Sequence, residues 1–553
     1  MKHLLLLLLF ASSLVQAQDS VTTKYLKQHI MALSSDLMEG RETGSKGERL
    51  AYNYISNQFQ KLMLEKKGTK GYLQNFTFTK SVKAGPNNKM LINGSQFVLG
   101  KDYFPLPYSS NATIGGDIVR VGYGICAPSK DYDDYRALKN LKGKIFLMEL
   151  GTPDAAGPHS KYADVADLRT RIDTAIAKGA IGVLFINSDK DLPDPKQEYK
   201  NRITASTVPV MFLKDTARAI LMQGQRWRVD LTTEIIHEEG EGHNVIGFID
   251  NKALHTVIIG AHYDHLGYGD EESSLYRGEP AIHNGADDNA SGVAALLELA
   301  RYYKTGADKS NNYLFIAFSG EEKGLLGSNY FAKNPTVPLE SVNYMINMDM
   351  LGRLREEDPT LIINGAGTSS AWKITFNYIK TDGYKIKTTD SGIGPSDHTS
   401  FYLKDIPCLH FFSGTHSDYH KPSDDESLIN YPGEIKIINF IKELIHRLND
   451  KGKLDFVKTK DENSDDAPRF KVTLGVIPDY AFEGKGMRID GITEGKPASV
   501  AGLEKGDIVI QLGDVNVVDM MSYMKALGQF KKGETTKVKV IRGTEEISKD
   551  VTF

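Results

Sequence analysis

The residues that could do chemistry sit at the ends of apolar runs. NNYLFIAF (311–318) reads as a buried strand, and Glu321 and Glu322 follow it after Ser319 and Gly320. Adjacent carboxylates at the end of a buried strand repel each other and resist desolvation, so a cation is expected to compensate them. The pattern recurs along the chain. TVIIGA (256–261) runs into His262, with Asp264 two positions on, and HNGADDNASG (283–292) places Asp287 and Asp288 just before a helix. SVNYMINM (341–348) ends at Asp349, and HFFSGTHSDYH (410–420) brings in His420. Any one of these side chains alone is more often a solvated or hydrogen-bonding group. Their joint order at successive strand ends is what carries the reading.

Open parallel sheets bind ligands beyond the carboxyl ends of their strands, so these groups should converge in one cleft. Imidazoles and carboxylates without a thiolate suit zinc, with manganese or cobalt as alternatives. The set exceeds the roughly three protein ligands of one catalytic zinc. Two metals sharing a carboxylate fit better, and Asp288, at a turn before a helix, suits the bridge. One glutamate of the adjacent pair would then bind metal, and its neighbour would act as general base toward water at the site.

The elements that must position these groups are legible as pattern. TKYLKQHIMALSSDLMEG (23–40) and KGERLAYNYISNQFQKLML (46–64) have helical spacing, with the glycine-rich GRETGSKG between them as loop. From EGHNVIGFID (241–250) onward, apolar strands alternate with amphipathic helices. That alternation predicts a mixed, mostly parallel α/β sheet flanked by helices. After Asn289, residues Val293, Leu296, Leu297 and Ala300 share one face for packing on that sheet. Residues from about 111 to 235 form a separate unit with strand-like GDIVRVGYG, GKIFLMEL and IGVLFIN. The charged run 448–469 reads largely as linker, and 469–553 is strand-rich with one short helix near 520–530.

A chain of 553 residues is too long for one ordinary core, and 40% hydrophobic with 25% charged residues is a globular composition. A formal net charge of −4 gives no support for nucleic-acid binding. MKHLLLLLLFASSLVQA (1–17) has the build of a secretory signal, so export to periplasm or exterior with a mature start at Gln18 is expected. No later stretch is apolar enough to span a bilayer. Cys126 and Cys408 are too few for a disulfide framework and are read as structural.

These motifs together resemble the co-catalytic di-zinc aminopeptidases of metallopeptidase family 28, over roughly 20–65 and 240–450. The matching pieces are GAHYDHLG (260–267), GADDNASGVA (285–294), SGEEKGLLGS (319–328), NMDMLGR (347–353), SDHTSF (396–401) and YHKPSDD (419–425). The resemblance implies the zinc exopeptidase fold and two Zn2+ per chain. His262 and Asp349 would hold one, Glu322 and His420 the other, and Asp288 would bridge them. Glu321 would be the general base and Asp264 the carboxylate that orients His262. It also implies a cis Asp288–Asn289 peptide. His265, His283 and Asp287 are assigned to loop or supporting positions, and Asp397 and His398 to a structural or catalytic one. Some relatives place a carbonyl-polarising tyrosine just before the S-D-H segment, where this chain has Ile393, Gly394 and Pro395.

Residues 111–235 resemble a protease-associated domain inserted before the metal-binding core. PASVAGLEKGDIVIQLGD (497–514) in turn resembles a PDZ domain, whose TLGV (473–476) would receive a peptide C-terminal carboxylate. The expected boundaries are 1–17 signal peptide, 18–110 first peptidase part, 111–235 insert, 236–450 zinc core, 451–468 linker and 469–553 PDZ domain. The function implied is a secreted aminopeptidase acting on peptides with a free N-terminus. The alternatives are a carboxypeptidase or dipeptidase of the same fold, with Arg353 a candidate for a substrate carboxylate, or a non-catalytic peptide-binding scaffold.

Overall fold

The computed structural model describes residues 20–553 apart from 155–159, 163–164, 191, 200–204, 224–225, 270–272, 307, 382, 460–471, 479–484, 493–495, 518–519 and 531–532. The signal-peptide reading of 1–17 therefore lies outside the described residues. Backbone contacts divide the chain into two compact units, Met1–Thr77 with Glu241–Phe553, and Phe78–Gly240.

The first unit is built on a nine-stranded sheet. In chain order its strands are β1 (Glu65–Lys66), β2 (Leu73–Ala84), β3 (Ile235–Ile249), β4 (Thr256–His262), β5 (Asn312–Phe318), β6 (Val342–Met348), β7 (Thr360–Asn364), β8 (Lys385–Thr388) and β9 (Cys408–Phe412). Across the sheet they lie in the order β1-β3-β5-β4-β6-β9-β7-β8, with β2 pairing with β3. The four central strands β5, β4, β6 and β9 are mutually parallel, while β3 and β7 join them antiparallel. The expected mixed, mostly parallel α/β sheet is the one found. Every residue of β4 and β6 is buried, which a strand covered on both faces requires. Each of Val257, Ile258 and Ile259 at 0% exposure contributes about 1.5–3 kcal/mol by leaving water.

Helix α1 (Lys46–Lys61) starts at Ser45, whose hydroxyl accepts the Glu48 N–H, a cap that satisfies one free helix donor. Helix α2 (Gly292–Thr305) packs on β4, β5 and β6, and also on α3 (Tyr431–Leu448). One apolar face was expected for α2, yet the whole stretch Gly292–Ala300 is buried, because the sheet covers one side and α3 another. Residues 20–33 form the first helix, and Asp36–Arg41 a 3-10 turn after it.

The second unit carries an eight-stranded sheet whose core strands Ala112–Arg120, Ile145–Glu149, Gly182–Ile186 and Val210–Leu213 are parallel neighbours. Helix Leu168–Ala177 links two of them. The C-terminal residues form a further sheet from Val476–Pro478, Met487–Ile492, Ile508–Leu512, Thr535–Arg542 and Glu545–Thr552, with an apolar cluster of its own. Both cysteines are free.

Candidate metal centre

The central parallel strands all end at the same edge of the sheet, and the polar groups collect there. His262 is the last residue of β4, Glu321 and Glu322 follow β5, Asp349 follows β6, and His420 lies on the loop after β9. Asp288 stands in the turn ahead of α2, and the Asp288–Asn289 peptide is cis, as the resemblance implied. The carboxylate of Asp288 faces two histidines with different oxygens. Its Oδ1 is 3.4 Å from His262 Nε2, and its Oδ2 is 3.2 Å from His420 Nε2. His262 Nε2 also lies 3.2 Å from Asp349 Oδ1, and His420 Nε2 lies 3.3 Å from Glu322 Oε2. Ligand atoms of His262, Asp288 and Asp349 fall within 4.8 Å of one another, and so do those of His265, Asp288 and Glu322.

Burial sets the electrostatics. It pushes Glu321 well above the usual carboxylate range, with Asp349 and Glu322 adding to the rise against His262. Burial acts on Glu322 in the same direction, but the charge of His420 and the bonds from His265 and His420 carry it well below. Asp349, facing His262, is held at about 2 despite its burial. The proton affinities of the two adjacent glutamates are thus shifted in opposite directions. Buried imidazoles and carboxylates without sulfur match the donor set of zinc.

Asp264 is fully buried and pushed up to about 6 by that burial. Its Oδ1 accepts the Glu321 N–H at 3.1 Å and its Oδ2 the Glu322 N–H at 3.4 Å. It therefore anchors the turn that presents both glutamates. Toward His262 Nδ1 the Asp264 main-chain oxygen, at 3.2 Å, is closer than the carboxylate at 3.8 Å.

Several residues that sequence reasoning passed over complete the site. Arg41 is wholly buried and gives all its hydrogen bonds to backbone carbonyls, of Tyr263, Leu33, Asn284 and Gly285. Burial lowers its pKa to about 10 while Asp288, Asp424, Asp264 and Glu322 act the other way, so it places one fixed positive charge behind the acid cluster. Thr43 Oγ1 donates to Asp264 Oδ2 at 3.0 Å. Asp424 Oδ2 accepts the N–H groups of both Asp287 and Asp288 at 3.0 Å. Asn289 Nδ2 donates to the carbonyls of His262 and Met348, tying β4 and β6 to the bridge turn. Ser396 Oγ donates to Asp349 Oδ2 at 2.8 Å. All of these lie in stretches already singled out, GRETGSKG, GADDNASGVA, SDHTSF and YHKPSDD, in which the motifs assign their side chains no role.

The remaining motif residues separate cleanly. Asp287 Oδ1 accepts from Gly352 N at 2.6 Å, and its Oδ2 lies 3.3 Å from His416 Nε2. His283 Nε2 meets Ser274 Oγ at 2.8 Å. Asp397 and His398 are wholly buried, and burial pushes Asp397 up to about 7. Arg353 donates from Nη2 to Asp418 Oδ2 at 2.9 Å.

Parts of the chain are similar to known families and proteins. Residues 244–445 match the model of Peptidase family M28, 114–221 that of the PA domain and 456–553 that of the PDZ domain. The chain is 27% identical over 265 residues to Aminopeptidase YwaD of Bacillus subtilis, covering 45% of this chain and 53% of that protein. It is 31% identical over 172 residues to a probable leucine aminopeptidase of Trichophyton verrucosum, covering 30% and 44%. A probable zinc metalloprotease of Pyrenophora tritici-repentis is 42% identical over 106 residues, covering 19% and 22%. The chain thus spans about half the length of the first of these relatives and less of the others. Among solved structures, an aminopeptidase from Aneurinibacillus is 22% identical with a TM-score of 0.44, covering 80% of this chain and 96% of that one.

Proposed function

We propose, on the premise that residues 244–445 are a peptidase family M28 segment, that the protein is an exported zinc-dependent aminopeptidase. The observation that carries this reading is the Asp288 carboxylate, whose two oxygens address His262 and His420 separately. A single carboxylate flanked in this way suits a bridge between two ions. His262 and Asp349 would hold one zinc, and Glu322 and His420 the other. Such a pair supplies Lewis-acid polarisation of the scissile carbonyl and a more acidic attacking water.

The chain's own residues do the rest. Glu321, raised in proton affinity by burial, would take the proton of the attacking water and hand it to the leaving amine. Asp264, by accepting the Glu321 and Glu322 N–H groups, would fix the base and its neighbour at their different tasks. The surrounding carboxylates give the cleft a negative character that suits a protonated N-terminal amine. Arg353 is engaged with Asp418, which weighs against its serving as the clamp of a carboxypeptidase. Peptides with a free N-terminus are the substrates this reading names, and the TLGV loop at 473–476 would receive a peptide C-terminus. Among the described residues no helix is long and apolar enough to cross a membrane.

The test is hydrolysis of aminoacyl chromogenic amides, with N-acetylated amides and a Glu321→Gln variant alongside. Zinc-dependent release only from free-amine substrates is expected, falling by about 10²–10⁴-fold in Glu321→Gln with metal content unchanged. Equal cleavage of acetylated substrates, or an unimpaired Glu321→Gln enzyme, would overturn the assignment.

A further inference from the structure

His265 stands at the centre without a part in the chemistry above. Its side chain is fully buried, with Nδ1 2.8 Å from Glu322 Oε1 and 3.8 Å from Asp288 Oδ2. By distance alone it groups with Asp288 and Glu322 as a third ligand. The far nitrogens of the three imidazoles tell them apart. His262 Nδ1 lies 3.2 Å from the Asp264 carbonyl, and His420 Nδ1 lies 2.8 Å from the Ser273 carbonyl. A proton held at those carbonyls leaves each Nε2 lone pair facing the carboxylates, the second-sphere arrangement of a metal-ligating imidazole.

The far nitrogen of His265, Nε2, is buried and has no hydrogen-bond partner among the described residues. Ligation through Nδ1 would require the proton on Nε2 and strand an N–H donor, the rarer and costlier orphan. With the proton on Nδ1, the ring instead makes a normal hydrogen bond to Glu322 Oε1 and leaves only a lone pair unmatched.

We propose that His265 is a positioning residue: it donates Nδ1–H to Glu322 Oε1, so that only Oε2 is left to face His420 and the ion they share. Glu322 would thereby offer one oxygen to an ion held with His420, which would leave room there for water or the substrate amine. This inference rests on the reading of Glu322 and His420 as ligands of the second zinc.

The experiment measures zinc stoichiometry and affinity by chelator competition, and the visible spectrum of the cobalt-substituted protein, in wild type, His265→Ala, His265→Asn and His420→Ala. Asn can present an amide N–H near the place of Nδ1 but is a poor zinc ligand. His265→Ala is expected to weaken one of two zinc sites by about 10–100-fold. His265→Asn is expected to stay within a few-fold of wild type with its cobalt bands unchanged. A His265→Asn protein that loses a zinc and alters its cobalt spectrum would make His265 a ligand and overturn the proposal. So would variants that keep both affinities and lose only thermal stability. If the Ala chain does not fold, the Asn comparison decides on the same criteria. A wild type with fewer than two zincs, or a His420→Ala variant that still holds two, identifies the second-zinc reading as the failure and removes this inference with it.

Discussion

At the scale of single residues, the organising group is Asp288. One carboxylate faces two imidazoles only because the turn before α2 is held from outside, by Asp424 on the Asp287 and Asp288 N–H groups and by Asn289 on two strand-end carbonyls. A different residue shows what burial costs when no such partner exists. Glu434 on α3 is wholly buried, and neither of its oxygens has a hydrogen-bond partner among the described residues. Burial, with Asp287 adding, raises its pKa well above 4.5. A carboxyl raised on folding contributes stability that is fully present below its unfolded pKa and is lost as pH rises through the folded one. Glu434→Gln should therefore match wild type in Tm near pH 4 and gain on it steadily toward neutral and alkaline pH, by about 1 kcal/mol or more. A Tm difference that does not change with pH would show that Glu434 is not the group responsible.

At the scale of elements, the loop 36–43 works as a clasp between the first helices and the β4 strand end. Gly40 sits at φ +65, where a Cβ would stand 2.4 Å from the Gly267 oxygen and 2.8 Å from the His283 oxygen. The Gly267 N–H bonds the Gly40 carbonyl, and Arg41 reaches from the same turn to Tyr263, Asn284 and Gly285. Gly40→Ala has to combine left-handed strain with a backbone collision, so a loss of at least about 1–3 kcal/mol is expected. Because the displaced loops carry Asp264 and lead into Asp288, zinc affinity should fall with it. Calorimetry and zinc titration of this variant check both, and an unchanged melting temperature would mean that the clasp yields freely.

At the scale of the whole molecule, residues 244–445, 114–221 and 456–553 match the models of Peptidase family M28, the PA domain and the PDZ domain, and residues 454–459 pack back on the first unit. Leu454 joins the main apolar cluster and Phe456 packs against a second one. Asp455 accepts from Ser369 Oγ at 2.8 Å, Val457 N donates to the Thr368 carbonyl, and Thr459 N donates to Tyr402 Oη. A chain ending at Thr459 should therefore keep the melting temperature of the peptidase unit. One ending at Asp450 loses those two side chains, about 2–4 kcal/mol, or roughly 5–15 °C. Truncations at both positions, melted side by side, test this, and equal melting temperatures would show that the segment adds nothing.

Much of this protein was legible without coordinates, and for one reason: period and punctuation are local. Buried strands such as TVIIGAH and NNYLFIAF declare themselves as apolar runs, and parallel strands deliver their following residues to a common edge. His262, Asp264, Asp288, Glu321, Glu322, Asp349 and His420 could therefore be gathered from order alone. What order could not supply was direction. That Asp288 splits its oxygens between two histidines, and that Asp264 spends its carboxylate on two backbone N–H groups, are matters of angle and distance. Arg41, Asp424 and Ser396 were hidden because each acts through a long-range hydrogen bond that leaves no periodic trace. The burial of nearly all of α2, and the docking of 454–459 inside a run that reads as linker, depend on what packs against them. The sequence determined which groups would meet, and the tertiary structure decided which atom of each faces which partner, because a hydrogen bond's geometry is set by both of the segments it joins.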